Sequence, residues 1–280
     1  MNSRTLVSAI IPIYNEEKVI ADCLESLKKQ SWQNLEIIIV DDGSTDKSSQ
    51  IVKAFGVTML KQNHRGPGPA RNLGAKRAKG QVLVFVDADM TFEKNFVKNL
   101  VSPIIKGETI GTFSKNEMVK NQENIWSVCW NINKNLPKDR MISYDYPSTA
   151  PVFRAIKREE FEKVGGFDTT GEYTDDWSLS RKLGTKSTLA PGAYYYHSNP
   201  SSLSEVYKQA RWIGKNEFIS GSLVRKLRSL IIYGLPMSVL IGAAKSILNL
   251  SPHFFAFKIT YDIAVWISVL KSFSGENKAK

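Results

Sequence analysis

The sequence predicts an α/β protein: a mostly parallel central sheet flanked by helices, followed by a C-terminal helical hairpin. Three observations predict it. Short apolar runs alternate with helix-length amphipathic segments over residues 6–90, as strands buried on both faces do when helices connect them. The runs at 6–11, 35–40 and 82–86 stop in polar clusters: Pro12-Ile13-Tyr14-Asn15, Asp41-Asp42-Gly43-Ser44 and Asp87-Ala88-Asp89. In such sheets ligands bind at the carboxyl ends of the strands. Near the end of the chain, residues 230–244 and 254–270 form two nearly uncharged runs joined by Asn249-Leu250-Ser251-Pro252.

Residues 6–11 (LVSAII) read as the first strand, stopped by Pro12. Asn15 reads as a helix N-cap with Glu16 and Glu17 in the first turn. Ile20, Cys23, Leu24 and Leu27 then recur at helical spacing, which gives a helix over 16–30. Residues 35–40 (LEIIIV) are a second strand, 46–55 a helix and 57–61 a third strand. Segment 66–80 opens on Gly66-Pro67-Gly68-Pro69, and its alanine-rich continuation predicts a helix over 69–79. Residues 82–86 (VLVFV) are the fourth strand, and 192–196 a later strand-like run before His197.

The 280 residues suit one large domain or a domain with a short appendage, and 42% apolar with 23% charged residues excludes wholesale disorder. Thirty-eight Lys and Arg against 27 Asp and Glu leave a net charge of +11, which suits an anionic partner. No RRM, zinc-finger or helix-turn-helix signature accompanies that charge, so nucleic acid is not the expected partner. Cys23 and Cys129 lie far apart, which excludes a disulfide scaffold or a cysteine zinc site. Neither GxGxxG nor GxxxxGK[ST] occurs, which argues against a dinucleotide-binding dehydrogenase and a P-loop enzyme. The two prolines of Gly66-Pro67-Gly68-Pro69 remove backbone donors and make it a poor phosphate cradle. Residues 1–6 are polar and the next apolar run is too short for a signal peptide, so a non-secreted protein is expected.

Asp87 and Asp89 flank one alanine directly after a buried strand. Carboxylates that close repel unless a cation lies between them, and Mg²⁺ or Mn²⁺ commonly bridges such oxygens to substrate phosphates. A solvated turn is the plainer alternative for a lone pair. The presence of Asp41 and Asp42 on the same expected edge favours the cation. Asp175 and Asp176, before Trp177, Leu179 and Leu183, read as the start of a helix. There Asp176 is a candidate general base, with an ordinary cap as the alternative.

These motifs, residues 7–16 (VSAIIPIYNE), 39–46 (IVDDGSTD), 66–72 (GPGPARN), 86–89 (VDAD) and 164–168 (VGGFD), with the Asp175-Asp176 pair, resemble family 2 glycosyltransferases of GT-A fold in order and spacing. The resemblance covers about residues 5–215 and implies transfer of a sugar from a UDP- or GDP-sugar, with inversion. It implies that Pro12, Tyr14, Glu16 and Asp42 line the nucleotide site, with Tyr14 packing on the base and Asp42 pairing with it. Arg71 would approach the nucleotide or its phosphates, Asp87 the ribose or donor sugar, and Asp89 the Mn²⁺ or Mg²⁺ ion. His197 resembles a late histidine on the metal or diphosphate. Asp176 would be the catalytic base, and Asp175, Trp177, Arg211 and Trp212 acceptor-side candidates. Lys208-Gln209-Ala210-Arg211-Trp212 resembles the QxxRW motif of membrane-embedded members, with Lys208 where they carry glutamine. The plainer reading is an amphipathic helix over 203–220.

The apolar runs at 230–244 and 254–270 are each shorter than the ~20 residues of a usual spanning helix. Pro236 is placed to kink the first, and Lys258 and Asp262 to pair at i,i+4 in the second. Basic residues flank both outer ends, so both ends are expected at the cytoplasmic face of an anionic membrane, either spanning it or lying in the interface. The expected organisation is a catalytic domain over 1–222, with a nucleotide-sugar half (1–90) and an acceptor half (91–222), a membrane-associated hairpin over 223–274, and a disordered tail at 275–280. The expected partners are a nucleotide-sugar and a glycan or a polyprenyl- or dolichyl-linked acceptor. A nucleotidyltransferase and a non-catalytic nucleotide-sugar binder remain the alternatives.

Overall fold

The computed structural model describes residues 5–169, 175–217 and 222–273, without the side chains of Asp175, Asp176, Asn216 and Glu217. The expected tail at 275–280 lies outside the described residues. In chain order the elements are β1 (Val7–Ile13), α1 (Ile20–Lys28), β2 (Leu35–Asp41), α2 (Ser48–Ala54), β3 (Thr58–Lys61), α3 (Pro67–Arg77), β4 (Val82–Phe85), β5 (Thr91–Phe92), α4 (Phe96–Ile105), β6 (Gly111–Phe113), β7 (Glu117–Val119), α5 (Ile125–Lys134), β8 (Thr149–Ala150), β9 (Ala155–Lys157), α6 (Arg158–Lys163), α7 (Asp175–Leu183), β10 (Ser187–Leu189), β11 (Tyr195–His197), α8 (Leu203–Glu217), α9 (Leu223–Ile232), α10 (Leu235–Leu248) and α11 (His253–Phe273). They pack as two compact units, residues 1–118 with 144–197, and residues 119–143 with 198–280.

The first unit is built on a sheet of order β3-β2-β1-β4-β9-β6-β10-β8. Its β3-β2-β1-β4 portion is parallel, while β9 runs antiparallel to both β4 and β6. Alternation along β1 decides what each face buries. Val7, Ala9, Ile11 and Ile13 pack with Ile20, Leu24 and Leu27 of α1 and Leu100 of α4. Ile10 packs on the other face with Ala70 and Ala75 of α3 and Phe161 of α6. Gly74 lets α3 press onto that face, because a Cβ there would stand 2.5 Å from a methyl carbon of Ile10. β5, β11 and β7 form a second, small sheet.

Three local expectations change. Pro12 does not stop β1; it pairs in register with Val40. Ile10 directs its carbonyl to Val86 on the β4 side. Pro12 has the same parity, but the β1–β4 pairing has already ended at Ile10, so its missing N–H costs no ladder bond. Asn15 is not an N-cap: it is left-handed, with φ 58°, and α1 begins only at Ile20, so Glu16 and Glu17 precede the helix. α3 starts at Pro67 rather than Pro69, and both prolines fall in the first turn, where no N–H is needed.

The second unit is helical. Trp130 of α5, Val206 and Ala210 of α8, and Phe254, Phe257, Tyr261 and Val265 of α11 share one core. The expected boundary at residue 222 therefore does not match the packing, since α8 shares its core with the C-terminal helix. The tail holds three helices where two runs were expected. α9 and α10 meet at a 54° bend beside Gly234, and Pro236 sits in the first turn of α10. α10 and α11 form the hairpin, tied by Ser238 of α10, which donates at 2.7 Å to Asp262, itself paired within α11 with Lys258 at 2.8 Å.

Candidate active site

The site assembles where β1, β2 and β4 end in the first unit. The loop after β1 is stitched to the loop after β2. Asn15 Oδ1 accepts from the amides of Thr45 (2.8 Å) and Asp46 (3.3 Å), and its own amide donates to Ser44 Oγ at 3.0 Å. Asn tolerates the left-handed backbone that this requires. Ser48 Oγ accepts from the Glu16 amide at 2.7 Å. Asp41 braces its own turn through Ser44 and Ser49.

Asp42 is buried. Its carboxylate accepts from the Arg65 amide (2.9 Å), the Gly66 amide (2.8 Å) and Gln62 Nε2 (2.6 Å), with His64 Nδ1 at 2.9 Å. Gly66 stands at φ 93°, a left-handed position that glycine favours, and leads the chain into α3. His64 in turn stacks on Tyr14, with ring centroids 4.0 Å apart. Pro12, Tyr14 and Asp42 therefore stand on one edge. Gln62 and His64 are partners that no motif marked.

Asp87 follows β4 and is clamped by two arginines. Arg71 Nη2 lies 2.8 Å from one carboxylate oxygen and Arg154 Nη1 3.0 Å from the other. Burial alone would raise the carboxyl, but Arg154 and Arg71 outweigh it and hold it well below the usual carboxylate range. Arg71 is buried and packs over the Phe167 ring, so it reaches the edge through Asp87.

Asp89 joins a chain of contacts leading into the second sheet. His197 Nε2 lies 2.7 Å from Asp89 Oδ2, and its Nδ1 3.1 Å from Glu117 Oε1. Tyr195 donates to the other Glu117 oxygen at 2.9 Å. Burial disfavours the imidazolium, but its bonds to Asp89 and Glu117 prevail and push His197 up to about 10. Burial, then the nearby charges of Asp89, Asp87 and Asp46, push Glu16 up to about 7. The structure thus brings Glu16, Asp87, Asp89 and His197 into one electrostatic neighbourhood.

A divalent ion fits this donor set. Asp89 would supply a hard oxygen and His197, once the ion displaces its proton, a nitrogen, while Glu117 holds the far side of the imidazole, as an orienting carboxylate does behind a metal-bound histidine. Among the described residues no group of three His, Cys, Asp or Glu side chains could enclose an ion by itself. Substrate oxygens and water would complete the coordination, as is common for Mg²⁺.

The 164–168 motif has a structural reason. Asn72 donates to the Phe167 carbonyl and accepts from the Phe167 amide, both at 2.9 Å. Gly166 is left-handed at φ 73°, and a Cβ there would stand 2.5 Å from Asn72 Oδ1. Asp168 pairs with Lys182 (2.7 Å) and Arg181 (3.0 Å) of α7. Asp175 and Asp176 open α7; their side chains lie outside the described ones. Trp177, the next residue, is half exposed.

In the second unit α8 carries the Lys208–Trp212 motif. Trp212 is half exposed and lines, with Asn121, Glu205, Lys208 and Gln209, a cavity of about 760 Å³. Arg211 points elsewhere and donates to Ser268 of α11 at 3.0 Å. No motif marks Glu117 or Arg154. Each stands on or beside a three-residue strand outside any recognised motif.

Comparison with known proteins agrees with this geometry. The model of the family described as "Glycosyl transferase family 2" matches residues 8–165. The chain is 26% identical over 258 residues to glycosyltransferase GlyG of Streptococcus pneumoniae, covering 84% of each chain. Among solved structures it resembles the mannosyltransferase PcManGT of Pyrobaculum calidifontis in complex with GDP-Man and Mn²⁺, with a TM-score of 0.58 and 21% identity, over 94% of this chain and 87% of that one. It also resembles residues 1–349 of TarS of Staphylococcus aureus in complex with UDP, with a TM-score of 0.57 and 18% identity, over 96% and 92% of the two chains. These likenesses establish the GT-A fold, and the matched model, which spans the strand-edge carboxylates and the arginine clamp, establishes the family: the chain is a glycosyltransferase of family 2.

Proposed function

We propose that the chain moves a sugar from a UDP- or GDP-sugar to a glycan or a polyprenyl- or dolichyl-linked acceptor, with inversion and with Mn²⁺ or Mg²⁺, at the cytoplasmic face of the cell membrane. One observation carries the reading: the Asp87–Asp89 turn, with its arginine clamp and its histidine, shares a strand edge with the Tyr14–His64 stack and Asp42.

In this reading the nucleoside base stacks on the aromatic pair and is met by Asp42, whose loop also presents Gln62. Asp87 stays ionised under its two arginines and accepts from ribose or sugar hydroxyls. Asp89 and His197 would hold the divalent ion, which would supply positive charge against the departing diphosphate. The acceptor hydroxyl oxygen attacks the anomeric carbon, its proton passes to Asp176, and the bond from that carbon to the diphosphate oxygen breaks. A single displacement of this kind inverts the anomeric centre. In the second unit, Trp212 and its cavity offer an aromatic face and mixed charge that suit a glycan. Trp177 and Asp175 are the candidates beside the base, and Arg211 supports α8 through Ser268.

A panel of UDP- and GDP-sugars, assayed for nucleotide diphosphate release with and without Mn²⁺, tests the proposal. Metal-dependent release from one donor, increased by an acceptor, is expected. Release of pyrophosphate from a nucleoside triphosphate and a sugar phosphate would point to nucleotidyl transfer instead. Donor binding without turnover under any acceptor or metal condition would leave only a binding protein.

A further inference from the structure

We infer that the outer surface formed by α9, α10 and the free face of α11 is an in-plane seat for an anionic phospholipid bilayer, and that none of these helices crosses it. The inference rests on the membrane placement just proposed and not on the sugar chemistry.

The polarity of α10 is reversed relative to a surface helix in water. Its buried positions are Ser238 and Gly242, and Lys245 turns its ammonium to the Ile132 carbonyl (2.9 Å) and Asn135 Oδ1 (2.6 Å). Its large apolar side chains point away from the protein: Leu240 is 67% exposed, Ile247 74% and Leu248 80%. An amphipathic helix in water buries its apolar stripe, and a contiguous exposed apolar surface marks a binding site. α9 adds Leu223, Val224, Leu227 and Ile231, all exposed at helical spacing, and α11 adds Phe255, Ile263, Trp266 and Leu270. The helices form one assembly: Trp266 donates to the Leu230 carbonyl at 3.2 Å and Lys226 to the Ser272 carbonyl at 3.1 Å.

Charge selects the occupant. Over residues 222–273 there are six Lys and Arg and one acid, a net of +5. That acid, Asp262, is buried against Lys258, so the described surface of the three helices carries no carboxylate. Arg225 and Arg228 are exposed beside the apolar stripe of α9. Apolar side chains fringed by basic ones suit the boundary between acyl chains and anionic headgroups.

Length alone would let α11 span, since it has 21 residues. Half of its most apolar stretch, however, is buried inside the protein. It shares a core with α8, which carries Glu205, Lys208, Arg211 and Lys215. Carrying that helix into hydrocarbon would take its charges along. α9 and α10 are bent by 54° at their junction and α10 has only 14 residues, about 21 Å at ~1.5 Å per residue, short of a ~30 Å core.

Flotation of the full chain with vesicles tests this, using phosphatidylcholine alone against an equimolar mixture of phosphatidylcholine and phosphatidylglycerol. The wild type should float with the mixed vesicles, weakly with phosphatidylcholine alone, and be released by alkaline carbonate. Leu240→Glu with Ile247→Glu should lower vesicle binding by about tenfold or more. Arg225→Gln with Arg228→Gln should remove the preference for the anionic mixture. Both variants should keep the wild-type thermal transition and nucleotide binding, readouts that separate a lost seat from a misfolded chain or a failed donor site. Absence of flotation, unchanged binding in the Glu variant, retention through carbonate, or a lipid-free dimer that the Glu variant dissolves would overturn the inference. The last two outcomes would mean a spanning helix and a second copy of the chain, respectively.

Discussion

Asp87 and Asp89 stand two residues apart and do different work. Asp87 is neutralised by Arg71 and Arg154 inside the protein, whereas Asp89 faces a histidine held by another carboxylate. The clamp makes a pH-dependent prediction. A carboxyl lowered on folding contributes stability above its unfolded value, and loses it as pH falls through the folded one. Arg154→Met should therefore cost about 1.5–3 kcal/mol at pH 7, typical of a hydrogen bond to a charged group. The gap from wild type should begin to narrow only below about pH 4, near the unfolded Asp value. Denaturant melts at several pH values check this; a gap that widens on acidification would contradict it. Asp176→Asn should lower turnover by roughly 10²–10⁴-fold, the worth of a positioned general base, while leaving donor affinity intact. Steady-state kinetics beside calorimetry separate the two effects. The residues that spacing revealed were those directly after buried strands, because a strand end fixes where the next side chains emerge. Glu117 and Arg154 were illegible for the opposite reason: they reach the site from strands too short to leave a pattern. Asn15 was misread because its left-handed backbone follows from the loop it braces, not from the helix behind it.

At the level of elements, one tie connects distant segments and another lies within a helix. Asn72 on α3 holds the backbone of Phe167, 95 residues away, and so joins two motifs that the sequence displays separately. Asn72→Ala should cost about 1–3 kcal/mol, since two backbone groups lose their partner. Urea unfolding measures it, and a loss below a few tenths would mean that water replaces the amide. The Lys258–Asp262 pair behaves differently. Lys258→Met leaves a buried carboxylate without its cation and should destabilise by about 3–5 kcal/mol, whereas Lys258→Met with Asp262→Leu should recover most of that loss. A double variant as unstable as the single one would show that the pair itself is indispensable. The i,i+4 spacing made this pair legible. The break between α9 and α10 was partly legible through Pro236. The packing of α8 with α11 was not, because their periodicities say which faces are apolar but not which partner each face meets.

For the whole molecule, the strand–helix alternation carried the fold, because parallel strands need helical crossovers and bury both faces. It did not carry the division into units, since residues 119–143 leave the first unit's chain run to join a helical core completed 55 residues later, from Ser198 onward. In the proposed function the strand edge binds a nucleotide through a divalent ion held by Asp89 and His197. Titration calorimetry of the wild type and Asp89→Asn with UDP and GDP, with and without Mn²⁺, tests it most directly. Mn²⁺ should strengthen binding of one nucleotide to the wild type, and Asp89→Asn should lose this gain while keeping the metal-free affinity. An equal gain from Mn²⁺ in Asp89→Asn would contradict it.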